Sequence, residues 1–405
     1  SPFRRLTNRA VGPILKGRLK IVAETNEIVY FDRSRWECDQ ECRRKRYLCY
    51  EYLGKGIRLP SHSWELGFGG AWHEGAKLLN VLGDIQGAVV DAKAYLAPYT
   101  ANLQQKGKDE AEMLLEGLLR GWERSTARAK LDEAYEVVDS ERELLYTGEF
   151  PFRFACIPDQ IVRSRKTGRL AYIEFKTTSS IKAEWFRQWT RAPQLLSATL
   201  AVQETYGEPL EHAIVQPIYK GWQSDFRLES PFVSAWRKVD GPRVEWAGKR
   251  PQSWKGWERV EAKEIGYPAW LGCIGQEVID SSFPVTMPIY MPPEMVRRWW
   301  RQASIREKEI LSTRQALEGV EEALTLKDLT VDERTRLRMV RDATLDVCFP
   351  QNFRQCEPTW GRKGCMCLNA CWLENCGDDP IGQGYEFREP HHEEEIRLQM
   401  EQEEN

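Results

Sequence analysis

The chain lacks any apolar run of about 18 residues, the length at which a membrane-spanning helix would be expected. It also lacks a strong excess of charge, because 58 lysines and arginines stand against 61 aspartates and glutamates, leaving a formal net charge of −3. We therefore expect no membrane contact. The charge balance excludes a polycation, so any binding of nucleic acid must come from a local basic groove.

The N-terminal segment SPFRRLTNRAVGPILKGRLK lacks the apolar core of a secretory signal, and the sequence contains no internal repeat. We therefore expect a cytoplasmic protein. Cysteine, in contrast, is abundant: six of the 11 cysteines lie between Cys348 and Cys376, and three lie between Cys38 and Cys49. Two such clusters without a secretory signal fit a metal site better than a disulfide network.

The succession of sequence patterns predicts an α/β fold. Helical spacing dominates from about residue 33 to 130, and residues 134–178 are rich in β-branched and aromatic residues. A helix broken at Pro193 and a further strand follow. This order favours helices packed on a sheet. We divide the chain into an N-terminal extension and helical region (1–130), a strand-rich core (131–221), a tryptophan-rich insertion with helices (222–345), a cysteine-rich segment (346–376) and an acidic tail expected to be disordered (377–405).

Within the strand-rich core, FACIPDQIV leads through the basic turn RKTG into LAYIEFKTT. Residues i and i+2 of a strand point to the same face, so Glu174 and Lys176 can face one point, and the hairpin can bring Asp159 beside Glu174. Two such carboxylates repel each other unless a cation neutralises them, and oxygen ligands suit Mg²⁺ or Mn²⁺. A lysine beside the metal can orient a water for attack on phosphorus. The alternative is a solvent-facing hairpin with an ordinary lysine–glutamate pair.

Pro158–Asp159 followed by Glu174, Phe175 and Lys176 resembles the signature of PD-(D/E)XK nucleases, and most closely that of their RecB-like branch. That branch includes CRISPR-adaptation exonucleases and many phage-encoded exonucleases. The resemblance implies a restriction-endonuclease-like core, in which helices flank a mixed central sheet. It also implies an exonuclease acting on single- or double-stranded DNA ends in recombination, repair or phage DNA metabolism, with a helicase or recombinase as partner. If phage-encoded, the protein would act in the host cytoplasm.

The resemblance extends to residues outside the hairpin. ELGFGGAWHEGAKLL places His73 after a glycine-rich helix entry, where the family has a metal-ligating histidine. The family pattern makes His73, Asp159, Glu174 and the backbone carbonyl of Phe175 the metal ligands, and Lys176 the residue that positions the water. Two further site candidates come from the same resemblance. Gln194 lies where the family carries a QxxxY glutamine, although Ala198 replaces the tyrosine. Glu141 or Glu143 resembles the acidic position on the strand before Asp159, and Glu141 is the one that we include. An exposed strand residue is the alternative for Glu141, and a packing histidine is the alternative for His73.

In iron–sulfur members of the branch, one cysteine precedes the core and three follow it. By this resemblance, Cys42, Cys356, Cys365 and Cys371 are the ligands of a 4Fe–4S cluster, since soft thiolates favour iron–sulfur or zinc centres. No proline follows Cys42, unlike in the family. A structural Zn²⁺ site and ordinary buried cysteines are the alternatives. Four further cysteines could substitute as ligands: Cys38, Cys49, Cys367 and Cys376. Two others, Cys156 and Cys273, are assigned to the core.

Basic residues suggest where DNA would bind. The turn VRSRKTGR is expected to lie beside the site and to contact the phosphate backbone through Arg163, Arg165, Lys166 and Arg169. A solvated hairpin tip is the alternative. The helix carrying RRWWR (297–301) could line a channel or bury its tryptophans in the core. The main alternative function is a catalytically inactive, DNA-binding scaffold subunit of a larger recombination complex. A zinc-binding structural protein is a third interpretation.

Overall fold

The computed structural model describes residues 28–60, 64–148, 151–224, 227–240, 243–247, 252–253, 255–326, 328–356 and 364–403. The extension expected before residue 28 lies outside these residues. The strands are β1 Val29–Asp32, β2 Ile57–Arg58, β3 Tyr135–Ser140, β4 Leu144–Tyr146, β5 Phe152–Cys156, β6 Gln160–Ser164, β7 Leu170–Thr178, β8 His212–Tyr219, β9 Trp222–Ser224, β10 Arg227–Glu229, β11 Ser234–Asp240, β12 Arg243–Ala247, β13 Trp257–Glu261 and β14 Glu386–Phe387.

The α-helices are α1 Arg33–Glu41, α2 Arg43–Arg46, α3 Trp64–Leu82, α4 Ile85–Thr100, α5 Gln105–Arg124, α6 Thr126–Ala134, α7 Ala183–Trp189, α8 Pro193–Tyr206, α9 Ala262–Ile265, α10 Tyr267–Ile274, α11 Gln276–Ser282, α12 Pro293–Leu324, α13 Val331–Cys348, α14 Leu368–Trp372, α15 Glu374–Asp378 and α16 Glu393–Glu403. A π-helical turn, Tyr47–Glu51, follows α2. The predicted α/β class is confirmed. Among the described residues, no helix combines the length and apolarity needed to cross a membrane.

The described chain divides into two units, and neither is a continuous stretch of sequence. The terminal unit contains described residues from 28–60, 145–156 and 294–403, and the central unit contains those from 64–144 and 157–293. The sequence suggested consecutive segments instead, because contacts between distant parts of a chain leave no local pattern.

The core of the central unit is a mixed four-stranded sheet in the order β3-β6-β7-β8. β6 runs antiparallel to β3 and β7, and β8 runs parallel to β7 after the crossover through α7 and α8. The expected turn is present, because Arg163 pairs with Leu170 and residues 165–167 form the reversal. The break at Pro193 is also confirmed: proline is the first residue of α8, where its missing N–H is not needed.

Alternate side chains of β7 face two different helical layers. Ala171, Ile173 and Phe175 belong to a core formed with α3 and α5, whereas Tyr172 packs against residues of α8. Since the side-chain period of a strand is two, Glu174 and Lys176 share the face of Tyr172. Burial on both faces explains why β7 reads as a continuous apolar run, LAYIEF.

Residues 222–290, interpreted from sequence as irregular, contain regular structure. β12, β11 and β13 form a three-stranded antiparallel sheet, and α9, α10 and α11 follow it. β12 exposes most of its residues. Polar, solvent-facing strands lack the apolar alternation that identifies a strand in sequence.

The acidic tail, expected to be disordered, is ordered in the described residues. β14 pairs with β2, and α16 carries Glu395, which is 2% exposed. Glu395 forms ion pairs with Arg35 and Arg388. Arginines distant in sequence therefore neutralise this part of the tail, and composition alone could not reveal them.

The RRWWR helix buries its two tryptophans in the terminal unit. Trp300 stacks on Phe31 with ring centroids 5.7 Å apart, and Trp299 packs edge-on against Phe154 at 5.6 Å. These tryptophans are therefore core residues, which was one of the two interpretations of the sequence, and they are not residues that line a DNA channel.

The buried carboxyl of Glu321, on α12, should make the stability of the protein depend on pH. Burial raises the pKa of Glu321 from 4.5 to about 7. Its ionisation therefore costs the folded state about 3 kcal/mol, a cost absent below pH 4.5 and complete above pH 7. Replacing Glu321 with glutamine should raise the melting temperature at pH 8 relative to the wild type, and this gain should be much smaller at pH 5.

The neighbouring residue offers the control. Glu322 is exposed, so Glu322→Gln should leave the melting temperature unchanged at both pH values. Thermal unfolding at pH 5 and pH 8 measures both variants. A stabilisation by Glu321→Gln that is equal at the two pH values would contradict the ionisation account.

Candidate functional site

Helix α3 carries His73 on a closely packed stretch. Glycines allow this packing, because a Cβ at Gly67 would lie 2.1 Å from the Tyr99 ring, and one at Gly70 would lie 2.7 Å from the Tyr95 hydroxyl. Trp72 is fully buried against Phe175 of β7, with ring centroids 5.3 Å apart. The helix is thereby fixed against the sheet and presents His73 at the sheet's edge.

Strand β3 ends in a distorted segment that carries Glu141. The register with β6 shifts between Val137 and Asp139, and Glu141 has a positive φ of 51°. This conformation is uncommon for residues other than glycine, and backbone strain of this kind concentrates at functional sites. The Glu141 N–H donates to the carbonyls of Pro158 and Asp159, both at 3.2 Å. The distortion thus brings the Glu141 side chain next to Asp159.

Three possible ligands of a cation converge at this point. His73 Nδ1 lies 3.4 Å from Glu141 Oε1 and 3.6 Å from Asp159 Oδ1. The ligand atoms of the three residues all lie within 4.8 Å of one another. The backbone N–H of Phe175 donates to Asp159 Oδ2 at 2.6 Å, which fixes that carboxylate. A histidine and two carboxylates form a donor set that fits a small divalent cation.

The electrostatics of the three residues also favour a cation. Burial alone would lower the pKa of His73, but the carboxylates of Asp159 and Glu141 outweigh it and raise that pKa to about 9. Burial raises the pKa of Asp159, while His73 and Lys176 act in the opposite direction. Without a metal, the positive charge on His73 therefore compensates the carboxylates. A bound metal ion would supply this compensation instead, and His73 would then act as a ligand in its neutral form.

A second group of side chains lies on the face of β7 that packs against α8. Glu174 is fully buried, and its Oε1 accepts a hydrogen bond from Gln194 Nε2 and pairs with Lys176 Nζ. Gln194 is the second residue of α8, directly after Pro193. Helix α8 therefore reaches the site through Gln194.

The structure thus brings most of the predicted site residues together in the central unit. Asp159 and His73 converge with Glu141, and Lys176 and Gln194 both contact Glu174. Glu174 is not among the three mutually close ligands. The observed contact of Phe175 is through its backbone N–H, and the ligand role of its carbonyl stays a prediction.

The basic turn is not beside this site, contrary to expectation. Gln160 pairs with Ile173 near the site, whereas Arg163 pairs with Leu170 toward the turn. At about 3.3 Å per residue, Leu170 lies about 13 Å along β7 from Glu174. Residues Arg165, Lys166 and Arg169 lie beyond Leu170, at the far end of the hairpin.

The charges of the turn are also partly compensated. Arg163 donates to Glu208 Oε1 at 2.7 Å, and Arg165 lies 4.0 Å from Glu136. The prediction that these basic residues lie beside the metal site is wrong, because the strand register places the turn at the far end of the hairpin. A role of the turn in DNA binding stays a prediction.

One neighbour of the site was not identified from sequence. Lys176 Nζ lies over the ring of Trp189, 5.9 Å from its centroid. The spacing of Trp185 and Trp189, four residues apart on a short helix after the lysine strand, is the signal that could have revealed it.

Three of the four predicted cluster ligands share one region of the terminal unit. Cys42 and Cys356 both act electrostatically on the Cys371 thiol, whose pKa burial raises. Hydrogen-bond donors point at two of the sulfurs: Gln351 Nε2 lies 3.0 Å from Cys371 Sγ, and the Asn352 N–H lies 3.4 Å from Cys42 Sγ. Donors of this kind tune thiolate-ligated centres.

The fourth predicted ligand connects this region to a second group of cysteines. The Cys365 N–H donates to the Cys356 carbonyl at 3.4 Å, and its thiol contacts Cys367, which lowers the pKa of Cys365 to about 6. Cys367 Sγ lies 3.4 Å from Cys49 Sγ, and Cys49 contacts Cys38. Residues 357–363 between Cys356 and Cys365 lie outside the described residues. Cys365 and Cys367 are therefore both adjacent to other cysteines of this unit, and the metal-ligand role of these thiols stays a prediction.

No protein-family model matches the chain, and no curated protein matches its sequence.

Proposed function

We propose that this protein is a metal-dependent deoxyribonuclease that hydrolyses phosphodiester bonds at DNA ends. The observation that carries the proposal is the convergence of His73, Glu141 and Asp159 beside a lysine that a buried glutamate holds. A structural hairpin would not require a histidine from a separate helix, or an acidic residue with positive φ, at the same point.

The proposed ligands are His73, Asp159, Glu174 and the Phe175 carbonyl, with Glu141 as an additional carboxylate. A bound Mg²⁺ or Mn²⁺ ion supplies a water of lowered pKa and stabilises negative charge on the phosphate. The Phe175 N–H holds one Asp159 oxygen in place, so this carboxylate is oriented before the cation arrives.

Lys176 has the catalytic role of holding the attacking water toward phosphorus. Its ammonium pairs with Glu174, and Glu174 is itself held by Gln194. This chain of contacts fixes the ammonium in a partly exposed position, where substrate can reach it. Gln194 is therefore a positioning residue, because it acts on the site through Glu174.

We also propose that the central unit has a restriction-endonuclease-like core. The mixed order β3-β6-β7-β8, with a helical crossover between the two parallel strands, supports this proposal. The site residues lie directly after β3, directly before β6 and on β7, with His73 supplied by α3.

For the terminal unit we propose a 4Fe–4S cluster held by Cys42, Cys356, Cys365 and Cys371. Cys42, Cys356 and Cys371 share one region of this unit, and Gln351 and Asn352 donate to two of their sulfurs. A structural Zn²⁺ ion is the alternative, and metal analysis of the purified protein distinguishes the two.

A time course on end-labelled DNA tests the nuclease. Single- and double-stranded oligonucleotides labelled at either end are incubated with Mg²⁺, Mn²⁺ or EDTA. We expect products that shorten with time in the presence of metal and none in EDTA. Binding without cleavage under every metal condition would refute the enzyme and leave the DNA-binding scaffold as the better interpretation.

A further inference from the structure

Helix α7 exposes an aromatic surface immediately after the strand that carries the site. None of its seven residues is buried. The Trp185 ring contacts Phe186 at 5.0 Å and Trp189 at 5.6 Å between centroids, so the three rings form one cluster. Trp185 and Trp189 rest on a small apolar core below the helix, whereas Phe186 is 38% exposed.

This aromatic cluster adjoins the proposed water-positioning lysine. Trp189 lies 5.9 Å from Lys176 Nζ, which pairs with Glu174. A strand whose phosphate reached Lys176 would therefore meet aromatic rings next to it.

The charge around α7 also suits a polyanion. Lys182 precedes the helix and Arg191 follows it, and both are exposed. Arg187 lies on the helix itself, 3.7 Å from Glu184, and both of these side chains are largely exposed. Aromatic rings interspersed with cations are the usual surface for single-stranded nucleic acid, since bases stack on the rings while cations contact phosphates.

We propose that α7 is a base-stacking subsite that makes the enzyme selective for single-stranded DNA ends. Its occupants are the nucleobases next to the phosphate at the metal site, with Phe186 as the exposed stacking ring. In a duplex, base faces are already stacked and paired, so they cannot occupy this surface without strand separation. The inference rests on the proposed nuclease function and adds the strand preference that the metal site itself does not determine.

The test measures whether the Phe186 ring contributes to DNA affinity only when an unpaired base is present. Dissociation constants are determined for wild type, Phe186→Ala and Phe186→Tyr with a single-stranded oligonucleotide, the same strand with abasic nucleotides near its end, and the duplex. Ca²⁺ replaces Mg²⁺ so that the DNA is not consumed. Tyr290→Ala is the control, because Tyr290 is 66% exposed and its ring lies 5.8 Å from that of His212. His212 pairs with Ala171, about 17 Å along β7 from Lys176.

We expect Phe186→Ala to weaken binding of the intact single strand about tenfold. Phe186→Tyr should restore affinity, and the duplex and the abasic strand should lose less than about twofold. A tenfold loss with the abasic strand, an equal loss with the duplex, or no loss with any probe would overturn the inference. Metal-dependent cleavage with no such coupling would refute the subsite alone, whereas coupling without cleavage would refute the proposed nuclease and keep the base-binding surface.

Discussion

Replacing Asp159 with asparagine is expected to lower the rate of Mg²⁺-dependent DNA cleavage by about 10³-fold or more. The side chain keeps its shape, and its oxygen can still accept the Phe175 N–H, but the charge facing His73 is lost. A loss of about 4 kcal/mol of transition-state stabilisation corresponds to this factor. The measurement is the initial rate on an end-labelled oligonucleotide, with circular dichroism to show that the fold is retained.

Lys176→Met should give a loss of similar size, because it keeps the aliphatic length and removes the ammonium that pairs with Glu174. Two matched controls should retain the wild-type rate. Lys106→Met alters an exposed lysine in the first turn of α5, and Asp132→Asn alters a carboxylate whose side chain is 67% exposed. Activity that persisted in both site variants would show that the cleavage arises from another site or a contaminant.

Local periodicity was sufficient to predict the part of the site carried by β7. Side chains two residues apart share a face of a strand, so the proximity of Glu174 and Lys176 follows from their spacing. Gln194 was predicted from its resemblance to the QxxxY glutamine, and not from periodicity. Glu141 was harder to assign, because its direction depends on a register shift and a positive φ that no pattern of residue types displays.

The register of the hairpin and the pairing of distant charges could not be predicted in this way. Nearness in sequence predicts that the basic turn lies close to the site, but an extended hairpin separates its turn from its ends. Composition predicts that Glu395 belongs to a solvated acidic tail, because its partner Arg35 lies 360 positions away. Burial of a charge becomes plausible only when its partner is known.

Replacing Cys42 or Cys371 with serine is expected to remove the bound metal and to lower the melting temperature by about 10 °C. Both residues are proposed ligands, and the free energy of metal binding contributes directly to folding where the ligands come from distant segments. Wild-type protein prepared without oxygen should contain iron and absorb near ~400 nm, as cysteine-ligated clusters do. Cys273→Ser, in α10 of the central unit, should change neither property.

The fourth ligand can be identified with two further variants, because Cys365 and Cys367 both contact the other cysteines. Cys365 is the predicted ligand, and its contact with Cys367 lowers its pKa. Cys367 is instead 3.4 Å from Cys49 Sγ and is almost completely buried. We expect Cys365→Ser to remove iron and Cys367→Ser to retain it with a smaller loss of stability. The reverse result would make Cys367 the fourth ligand, and stoichiometric zinc without iron in the wild type would refute the cluster.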